Sequence, residues 1–307
     1  MTEFRVIADG LRFPEGPIAM PDGSVLLVEI ARGTLTRVQP DGRCEIVAEP
    51  GGGPNGAAIG PDGACYVCNN GGFKWHEDAQ GLRPILQADD YSGGRIERID
   101  LASGEVEAIY THCGEVRLCG PNDIVFDAHG GFWFTDLGKV RAHDMDRGRV
   151  YYAKADGSHI HQAAFPFFSP NGIGLSPDGR TLSVAETPTA RVWAFDIIAP
   201  GELAKQPWPS PNGGRLLTGS ANYQTFDSLA VDAAGNVCVA TLMHGGVTVI
   251  APDGSHVQHL PFPDLYTTNI CFGGEDLRTA YITLSSSGRL IATQWPRPGL
   301  ALNCLMT

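Results

Sequence analysis

Six oxygen-bearing side chains stand at equivalent points of a repeated sequence pattern. Each is followed by an apolar run, a Pro/Asp/Gly turn and a second apolar run, and the intervals between them are 40, 67, 49, 56 and 42 residues. Carboxylate and amide oxygens are the ligands that hard divalent cations prefer. A cation held in this way can polarise a carbonyl group and acidify a water molecule. These six residues, called the inner ring, are Glu15, Asn55, Asn122, Asn171, Asp227 and Asn269.

A second set of oxygen-bearing residues follows the inner ring at a distance of 14 or 15 residues. Because a hairpin returns the chain to the end where it started, we expect this second ring to flank the first. Clustered carboxylates repel one another, which favours a cation between them. The alternative is a solvated polar channel in which the asparagines cap turns. The second ring comprises Glu29, Asn69, Asp136, Glu186, Thr241 and Thr283.

The repeat itself predicts the architecture that must position these side chains. Each inner hairpin is followed by a second, more polar hairpin, so that one unit supplies four strands and the chain holds six units. The intervals bracket the length of one blade in propeller folds, and no helical period competes with the pattern. The sequence therefore predicts an all-β fold, a six-bladed β-propeller with four-stranded blades.

Both ends of the chain are expected to close the ring. Residues 4–9 resemble an outer strand without an inner partner, and we expect them to pair beside residues 288–295 in the last blade, which removes an open edge. The final segment, 300–306, is expected either to add to that blade or to cover it. No linker divides the chain, so we expect residues 1–307 to form one domain.

Two insertions, 70–92 and 198–214, interrupt the repeat. Long loops in compact folds are often functional, and the first insertion is expected to form a lid or a pocket wall. The alternative is a loop packed only on itself. Within the first insertion Trp75 and His76 are candidate substrate contacts, and outside it Tyr223 is a candidate for an apolar wall.

Composition and cysteine usage exclude several classes of function. The chain has 22 Lys and Arg against 34 Asp and Glu, a net charge of −12, which argues against nucleic-acid and membrane partners held by basic residues. We see no signal peptide and no apolar run of membrane-spanning length. The eight cysteines are scattered and are expected to be reduced thiols. We therefore expect a cytoplasmic protein, monomeric because its ring is closed.

Four short motifs in this order carry a family resemblance: F-P-E-G-P at 13–17, G-P-N-D at 120–123, S-P-N-G at 169–172 and F-D-S at 226–228. Together they resemble the senescence-marker-protein/gluconolactonase family over essentially the whole chain. The resemblance implies a six-bladed propeller with one divalent metal ion in its channel and hydrolysis of lactones, typically those of sugar acids. Related propellers hydrolyse organophosphorus esters with a similar metal constellation.

Carried over residue by residue, the resemblance assigns the metal ligands to Glu15, Asn171 and Asp227, with Asp227 also the catalytic base. Asn122 then lies beside the metal and touches substrate or water, and Asn55 is a further candidate substrate contact. Oxygen ligands favour Ca²⁺, while Zn²⁺, Mn²⁺ or Mg²⁺ can compete. The sequence departs from the animal sugar lactonases at Arg117, which stands five residues before Asn122 where they have Arg-x-Asn.

The expected function is therefore metal-dependent hydrolysis of a small lactone by a polarised carbonyl and a carboxylate-assisted water. One alternative is a phosphotriesterase-like or other ester hydrolase on the same metal site. Another is a propeller that binds a ligand without chemistry, because the fold serves both purposes. No G-x-S-x-G or H-E-x-x-H motif supports serine or zinc hydrolase chemistry.

Overall fold

The structure, a computed structural model, describes residues 3–305 and contains 29 β-strands in that range. Among these residues there is no helix, and hence none that is long and apolar enough to cross a membrane. The first thirteen strands are β1 (Arg5–Ala8), β2 (Pro14–Ala19), β3 (Val25–Glu29), β4 (Thr34–Val38), β5 (Cys44–Ala48), β6 (Pro54–Ile59), β7 (Cys65–Asn69), β8 (Phe73–Asp78), β9 (Gly81–Gln87), β10 (Arg95–Ile99), β11 (Val106–Tyr110), β12 (His112–Cys113) and β13 (Val116–Arg117).

The second part of the chain continues the pattern without a break. Its strands are β14 (Pro121–Phe126), β15 (Gly131–Asp136), β16 (Gly148–Lys154), β17 (Ile160–Phe167), β18 (Pro170–Leu175), β19 (Thr181–Glu186), β20 (Arg191–Ala199), β21 (Glu202–Leu203), β22 (Arg215–Gly219), β23 (Thr225–Val231), β24 (Val237–Leu242), β25 (Gly246–Ile250), β26 (Val257–Pro261), β27 (Thr267–Gly273), β28 (Thr279–Leu284) and β29 (Arg289–Gln294).

Six antiparallel sheets form the blades of a propeller, which confirms the predicted fold. The innermost strands β2, β6, β14, β18, β23 and β27 contact one another in a closed circle around the axis. Apolar side chains fill the space between each pair of neighbouring blades. From the centre outward the blades are β2–β3–β4–β5, β6–β7–β10–β11, β14–β15–β16–β17, β18–β19–β20–β22, β23–β24–β25–β26 and β27–β28–β29–β1, with β21 also paired to β20.

The first strand closes the ring as the sequence predicts. Strand β1 pairs antiparallel with β29, with Arg5 opposite Ala292 and Ala8 opposite Leu290. The sixth blade is thus built from both ends of the described chain, and β1 pairs with the edge that β29 would otherwise expose. This pairing confirms the expectation that residues 4–9 complete the last blade.

The C-terminal segment does not add a strand to that blade. The amide of Leu300 donates a hydrogen bond to the carbonyl of Val231 in the fifth blade, and Asn303 donates one to Phe126 in the third. Residues 300–305 therefore cross the end of the channel where the inner strands finish, which is called the far mouth. There they bury apolar side chains of the inner strands that would otherwise contact water. Met306, the last residue of the predicted segment, lies outside the described residues.

Glycine next to an inner-ring residue lets the inner strands approach closely. A Cβ atom on Gly56 would lie 2.4 Å from the carbonyl oxygen of Asn122, and one on Gly172 would lie 2.6 Å from the amide nitrogen of Leu229. No side chain fits at these distances. The repeated Asn-Gly pairs thus bring the inner-ring side chains of adjacent blades together as well as shaping the turn.

Candidate functional site

A cavity of about 240 Å³ lies where the inner strands begin. Five of the six inner-ring residues line it, so the structure brings together side chains that are up to 212 residues apart, from Glu15 to Asp227. The sixth, Asn269, lies behind Glu15 and is buried. The five lining residues, called the floor, are Glu15, Asn55, Asn122, Asn171 and Asp227.

Glu15 is almost completely buried and is fixed by two donors. The side-chain amide of Asn269 and the backbone amide of Gly16 each donate a 2.6 Å hydrogen bond to Oε2 of Glu15. Burial, followed by the negative charge of Asp227, raises the pKa of Glu15 well above its usual range. A positive charge placed beside such a buried carboxyl would stabilise its ionised form.

Asp227 provides the second acidic group of the floor. Burial, and to a smaller extent the charge of Asp123, raises the pKa of Asp227 to about 7, against the opposing effect of a hydrogen bond from Asn171. Burial likewise raises the pKa of Asp123 to about 7, although Asp123 accepts hydrogen bonds from the backbone amides of Ile124 and Ile173. Asp227 can therefore hold or release a proton near neutral pH.

The asparagines of the floor differ in how far their polar atoms are satisfied. Asn171 donates to Thr187 Oγ1 at 3.1 Å and accepts from Ser228 Oγ at 3.3 Å, which fixes its amide plane. Asn122 Oδ1 is buried and has no hydrogen-bond partner among residues 3–305. An orphaned buried oxygen is costly unless a ligand or cation satisfies it.

This donor set fits a divalent cation. Two carboxyl groups that disfavour each other's charge, an oriented amide and an orphaned amide oxygen are the hard oxygen ligands that Ca²⁺ and Mg²⁺ take. Within residues 3–305 no group of three His, Cys, Asp or Glu side chains is arranged to hold a metal ion. A site here would depend on two acids completed by amides.

The prediction that the second ring flanks the inner ring is wrong. Its acidic and amide members point into the blades and accept hydrogen bonds from the backbone that enters each inner strand, and its two threonines bond to other threonines. Side chains alternate along a strand, so the cavity is lined by the residues one position later, Ile30, Leu137, Thr187 and Leu242. The backbone donors are Arg12 to Glu29, Gly53 to Asn69, Cys119 and Gly120 to Asp136, and Phe168 to Glu186.

Three predicted substrate contacts lie outside the residues that line the cavity. Trp75 packs on Phe13, with ring centroids 5.1 Å apart, and so supports the cavity wall from behind. His76 is half exposed and bonds Asp78, while Tyr223 is 86% exposed. Phe73 lies two residues before Trp75 on the same face of strand β8, with the two ring centroids 6.1 Å apart, and is the residue of that strand that lines the cavity.

The first insertion forms a hairpin of β8 and β9, called the insertion hairpin, that walls one side of the cavity. It contributes Phe73, Pro84, Ile85 and Leu86 to the lining. None of these four was among the individual residues predicted from the sequence, because the repeat does not predict how the strands of the insertion pair. Three other lining residues could have been predicted from the repeat, because each directly follows a second-ring residue. These are Ile30, Leu137 and Leu242.

The insertion hairpin is fixed at its tip. Arg12 donates two hydrogen bonds, of 2.8 and 2.9 Å, to the carboxylate of Glu77. The amide of Leu82 donates to the carbonyl of Ser286 at 3.1 Å, and Gly81 is the neighbour that makes this approach possible, since a Cβ there would lie 2.3 Å from the same oxygen. The tip is therefore held between the first and sixth blades.

Its base is held by a buried lysine. Lys139 Nζ donates to the carbonyls of Asn70 and Gly72 at 2.9 and 2.8 Å, and lies 4.2 Å from the ring centroid of Phe73. Burial lowers the pKa of Lys139 to about 7, although the charges of Asp136 and Asp146 oppose this effect. The hairpin is thus a wall anchored at both ends.

Known proteins share both the sequence motifs and the fold of this chain. Residues 13–286 match the family model described as the SMP-30/Gluconolactonase/LRE-like region, which confirms the resemblance. A gluconolactonase of Zymomonas mobilis is 25% identical over 316 residues, which cover 92% of this chain and 79% of that one. A diisopropyl-fluorophosphatase of Loligo vulgaris is 31% identical over 202 residues, 61% of each chain. The crystal structure of regucalcin, a calcium-binding protein of Agrobacterium tumefaciens, is 18% identical with a TM-score of 0.74 over 98% of both chains, which supports the fold.

Proposed function

Because the chain belongs to the SMP-30/gluconolactonase/LRE-like family, we propose that it hydrolyses a lactone with the help of one divalent cation. The observation that carries this proposal is the pairing of Glu15 and Asp227, two acids with raised pKa values, beside the orphaned oxygen of Asn122 at the floor of one cavity. The gluconolactonase of Zymomonas mobilis supports the reaction class.

Glu15, Asn171 and Asp227 are the residues that would hold the cation, and Ca²⁺ is the ion that their oxygen atoms favour. When bound, the cation supplies Lewis-acid polarisation of the ring carbonyl and stabilises the negative charge that develops on its oxygen. Asn269 keeps the Glu15 carboxylate in place through its 2.6 Å hydrogen bond. Ser228 and Thr187 do the same for the amide of Asn171.

Asp227 is the proposed base. Its carboxylate takes a proton from the water molecule whose oxygen forms the new bond to the carbonyl carbon, and the ring C–O bond then breaks. The same proton passes to the departing ring oxygen, so the product is a hydroxy acid. In the metal-free protein burial raises the pKa of Asp227 to about 7, so its carboxylate is ionised above neutral pH and accepts a proton more readily than an ordinary aspartate. Asn122 and Asn55 orient the substrate's oxygen atoms from the floor.

A second candidate reaction is hydrolysis of a phosphorus ester at the same floor. The similarity to the diisopropyl-fluorophosphatase of Loligo vulgaris favours it, since a cation that polarises a carbonyl oxygen can also polarise a phosphoryl oxygen. Cytoplasmic location, a monomeric state and the sugar-acid class of lactone stay predictions from the sequence.

The test is proton release on a panel of lactones and one phosphotriester, with chelator-stripped protein and added Ca²⁺, Zn²⁺, Mn²⁺ or Mg²⁺. We expect turnover of lactones that returns with metal and is lost in Glu15→Ala and Asp227→Ala, while Glu105→Ala, an exposed acid, keeps it. Turnover of the phosphotriester alone would favour the second candidate. Metal binding without turnover of any ester would indicate a binding protein.

A further inference from the structure

We infer that the lactone carries a hydrocarbon substituent rather than the hydroxyl groups of a sugar acid; this inference rests on the proposed lactonase function. The observation is the division of the cavity lining into two chemical zones. The floor is polar, whereas ten of the eighteen lining residues are apolar and come from the loops and the insertion hairpin around it. A ring ester bound at the floor must direct its substituent toward this apolar zone.

Outside the floor, three hydroxyl-bearing side chains line the cavity, those of Ser169, Thr187 and Tyr266. No Lys, Arg or His side chain is among the lining residues within the described part of the chain. Arg117 is exposed and does not line the cavity, so the guanidinium that the animal sugar lactonases place before this motif does not reach the site. Thr187 and Asn171 already bond to each other. Hydroxyl groups pressed against the apolar walls would lose water without gaining partners.

The apolar zone is also partly open to solvent in the direction that a substituent would take. Ile85 is 46% exposed and Val140 is 39% exposed, and both line the cavity. The backbone amide of Gln87, two residues after Ile85, donates a 2.8 Å hydrogen bond to the carbonyl of Val140, so strand β9 is joined to the segment that carries Val140. Exposed large apolar side chains that flank a cavity indicate an apolar ligand.

The wall is in place before the substrate arrives. The bidentate Arg12–Glu77 pair and the hydrogen bonds from Lys139 to Asn70 and Gly72 fix both ends of the insertion hairpin. Binding to a preformed apolar wall requires little loss of protein conformational entropy. Most of the free energy gained by burying a hydrocarbon chain therefore contributes to affinity. Each methylene group buried there should raise kcat/KM about three- to fourfold.

The experiment compares δ-valerolactone, δ-hexalactone and δ-octalactone with glucono-1,5-lactone, which has the same six-membered ring but bears hydroxyl groups. Ca²⁺-loaded protein is used throughout. We expect kcat/KM to rise along the alkyl series, mainly through a lower KM, and to be at least tenfold higher for δ-octalactone than for glucono-1,5-lactone. Burial of a chain in ground and transition state alike predicts that KM carries the change.

Ile85→Asn tests the wall directly. We expect the ratio of kcat/KM for δ-octalactone to that for δ-valerolactone to fall at least threefold, a readout that a general loss of folded protein does not move. The matched control is Ile46→Asn. This isoleucine is 53% exposed on the outer strand of the first blade and does not line the cavity. In this control the ratio should equal that of the unmodified protein.

The outcomes separate this inference from the function beneath it. Preference for glucono-1,5-lactone, a flat alkyl series, or equal ratios in the Ile85 variant and its control would overturn the inference while leaving the lactonase function intact. Absence of turnover on all four lactones with Ca²⁺, Zn²⁺, Mn²⁺ and Mg²⁺ would overturn the proposed function, and the inference with it.

Discussion

The side-chain amide of Asn269 donates a 2.6 Å hydrogen bond to the carboxylate of Glu15, across 254 residues of sequence. The contact joins the last inner strand to the first, at the point where the ring of blades closes. It also favours the ionised form of Glu15 and so lowers its pKa against the stronger effect of burial. Asn269 is therefore a positioning residue for the proposed cation site, although it does not line the cavity.

Removing this contact should weaken cation binding. In Asn269→Ala the carboxylate of Glu15 keeps only the backbone donor of Gly16, and its ionised form becomes less favourable. We expect Ca²⁺ affinity to fall about 10- to 100-fold, the usual loss when a hydrogen bond behind a ligand is removed. Titration calorimetry measures it. Asn303→Ala removes an amide from the far mouth and should bind Ca²⁺ normally; equal losses in both variants would contradict the role of Asn269.

Asp227→Asn separates catalysis from metal binding. The amide keeps an oxygen that can serve as a ligand but cannot take a proton from water. We expect kcat on a good lactone substrate to fall by about 10²- to 10⁴-fold, the usual contribution of a general base, while Ca²⁺ binding is weakened but measurable. The control is Asp178→Asn in an exposed turn of the fourth blade. A variant that binds Ca²⁺ and retains full activity would remove Asp227 from the mechanism.

Cation binding should depend on pH in a direction set by the acids. Burial raises the pKa of Asp227 to about 7 and that of Glu15 well above its usual range. A cation binds the ionised forms, so its affinity rises with pH and binding releases protons. One carboxyl with a pKa of about 7 gives roughly a tenfold gain from pH 6 to pH 8, and Glu15 adds to it.

Calorimetry with Ca²⁺ at pH 6, 7 and 8, in two buffers of different protonation enthalpy, measures both the affinity and the number of protons released. An affinity that does not change over this range would show that neither acid is protonated in the metal-free protein.

Lys139 should be important for stability as well as for the insertion hairpin. Lys139→Met keeps much of the buried volume but leaves the carbonyl oxygens of Asn70 and Gly72 without this donor. We expect the free energy of unfolding to fall by about 2–4 kcal/mol, measured by urea denaturation. The control is Lys74→Met, whose exposed ion pair with Asp89 should contribute less than about 1 kcal/mol. Similar losses in the two variants would argue against a special role for Lys139.

The repeated parts of the molecule could be predicted from sequence because each blade is built from local hairpins. The turn residues fix the strands, and the inner ring follows from one repeated position. The prediction that the second ring flanks the first was wrong by a single position, because a hairpin pattern alone does not show which face of a strand meets the channel. Glu29 and Asp136 are buried inside their blades, while Ile30 and Leu137 face the cavity.

The non-repeated parts were harder for a different reason. The position of Ile85 depends on contacts of the insertion hairpin with Arg12 and Ser286, which lie far away in sequence. Trp75 is an aromatic residue of the type that lines pockets and shares a strand face with Phe73, yet its ring packs on Phe13 behind the wall. Tertiary contacts, rather than local propensity, decide which side chains of an insertion reach a site.

The pairing of β1 with β29 also fixes the order in which the molecule can be completed during synthesis. Ala8 leaves the ribosome early but finds its partner Leu290 only when almost the whole chain has been made. The first five blades can form as they emerge, because their strands are neighbours in sequence. Glu15 likewise gains its hydrogen bond from Asn269 only after the sixth blade has been synthesised. The proposed cation site is therefore among the last features to mature, and a nascent chain short of its sixth blade carries the acids without the geometry to use them.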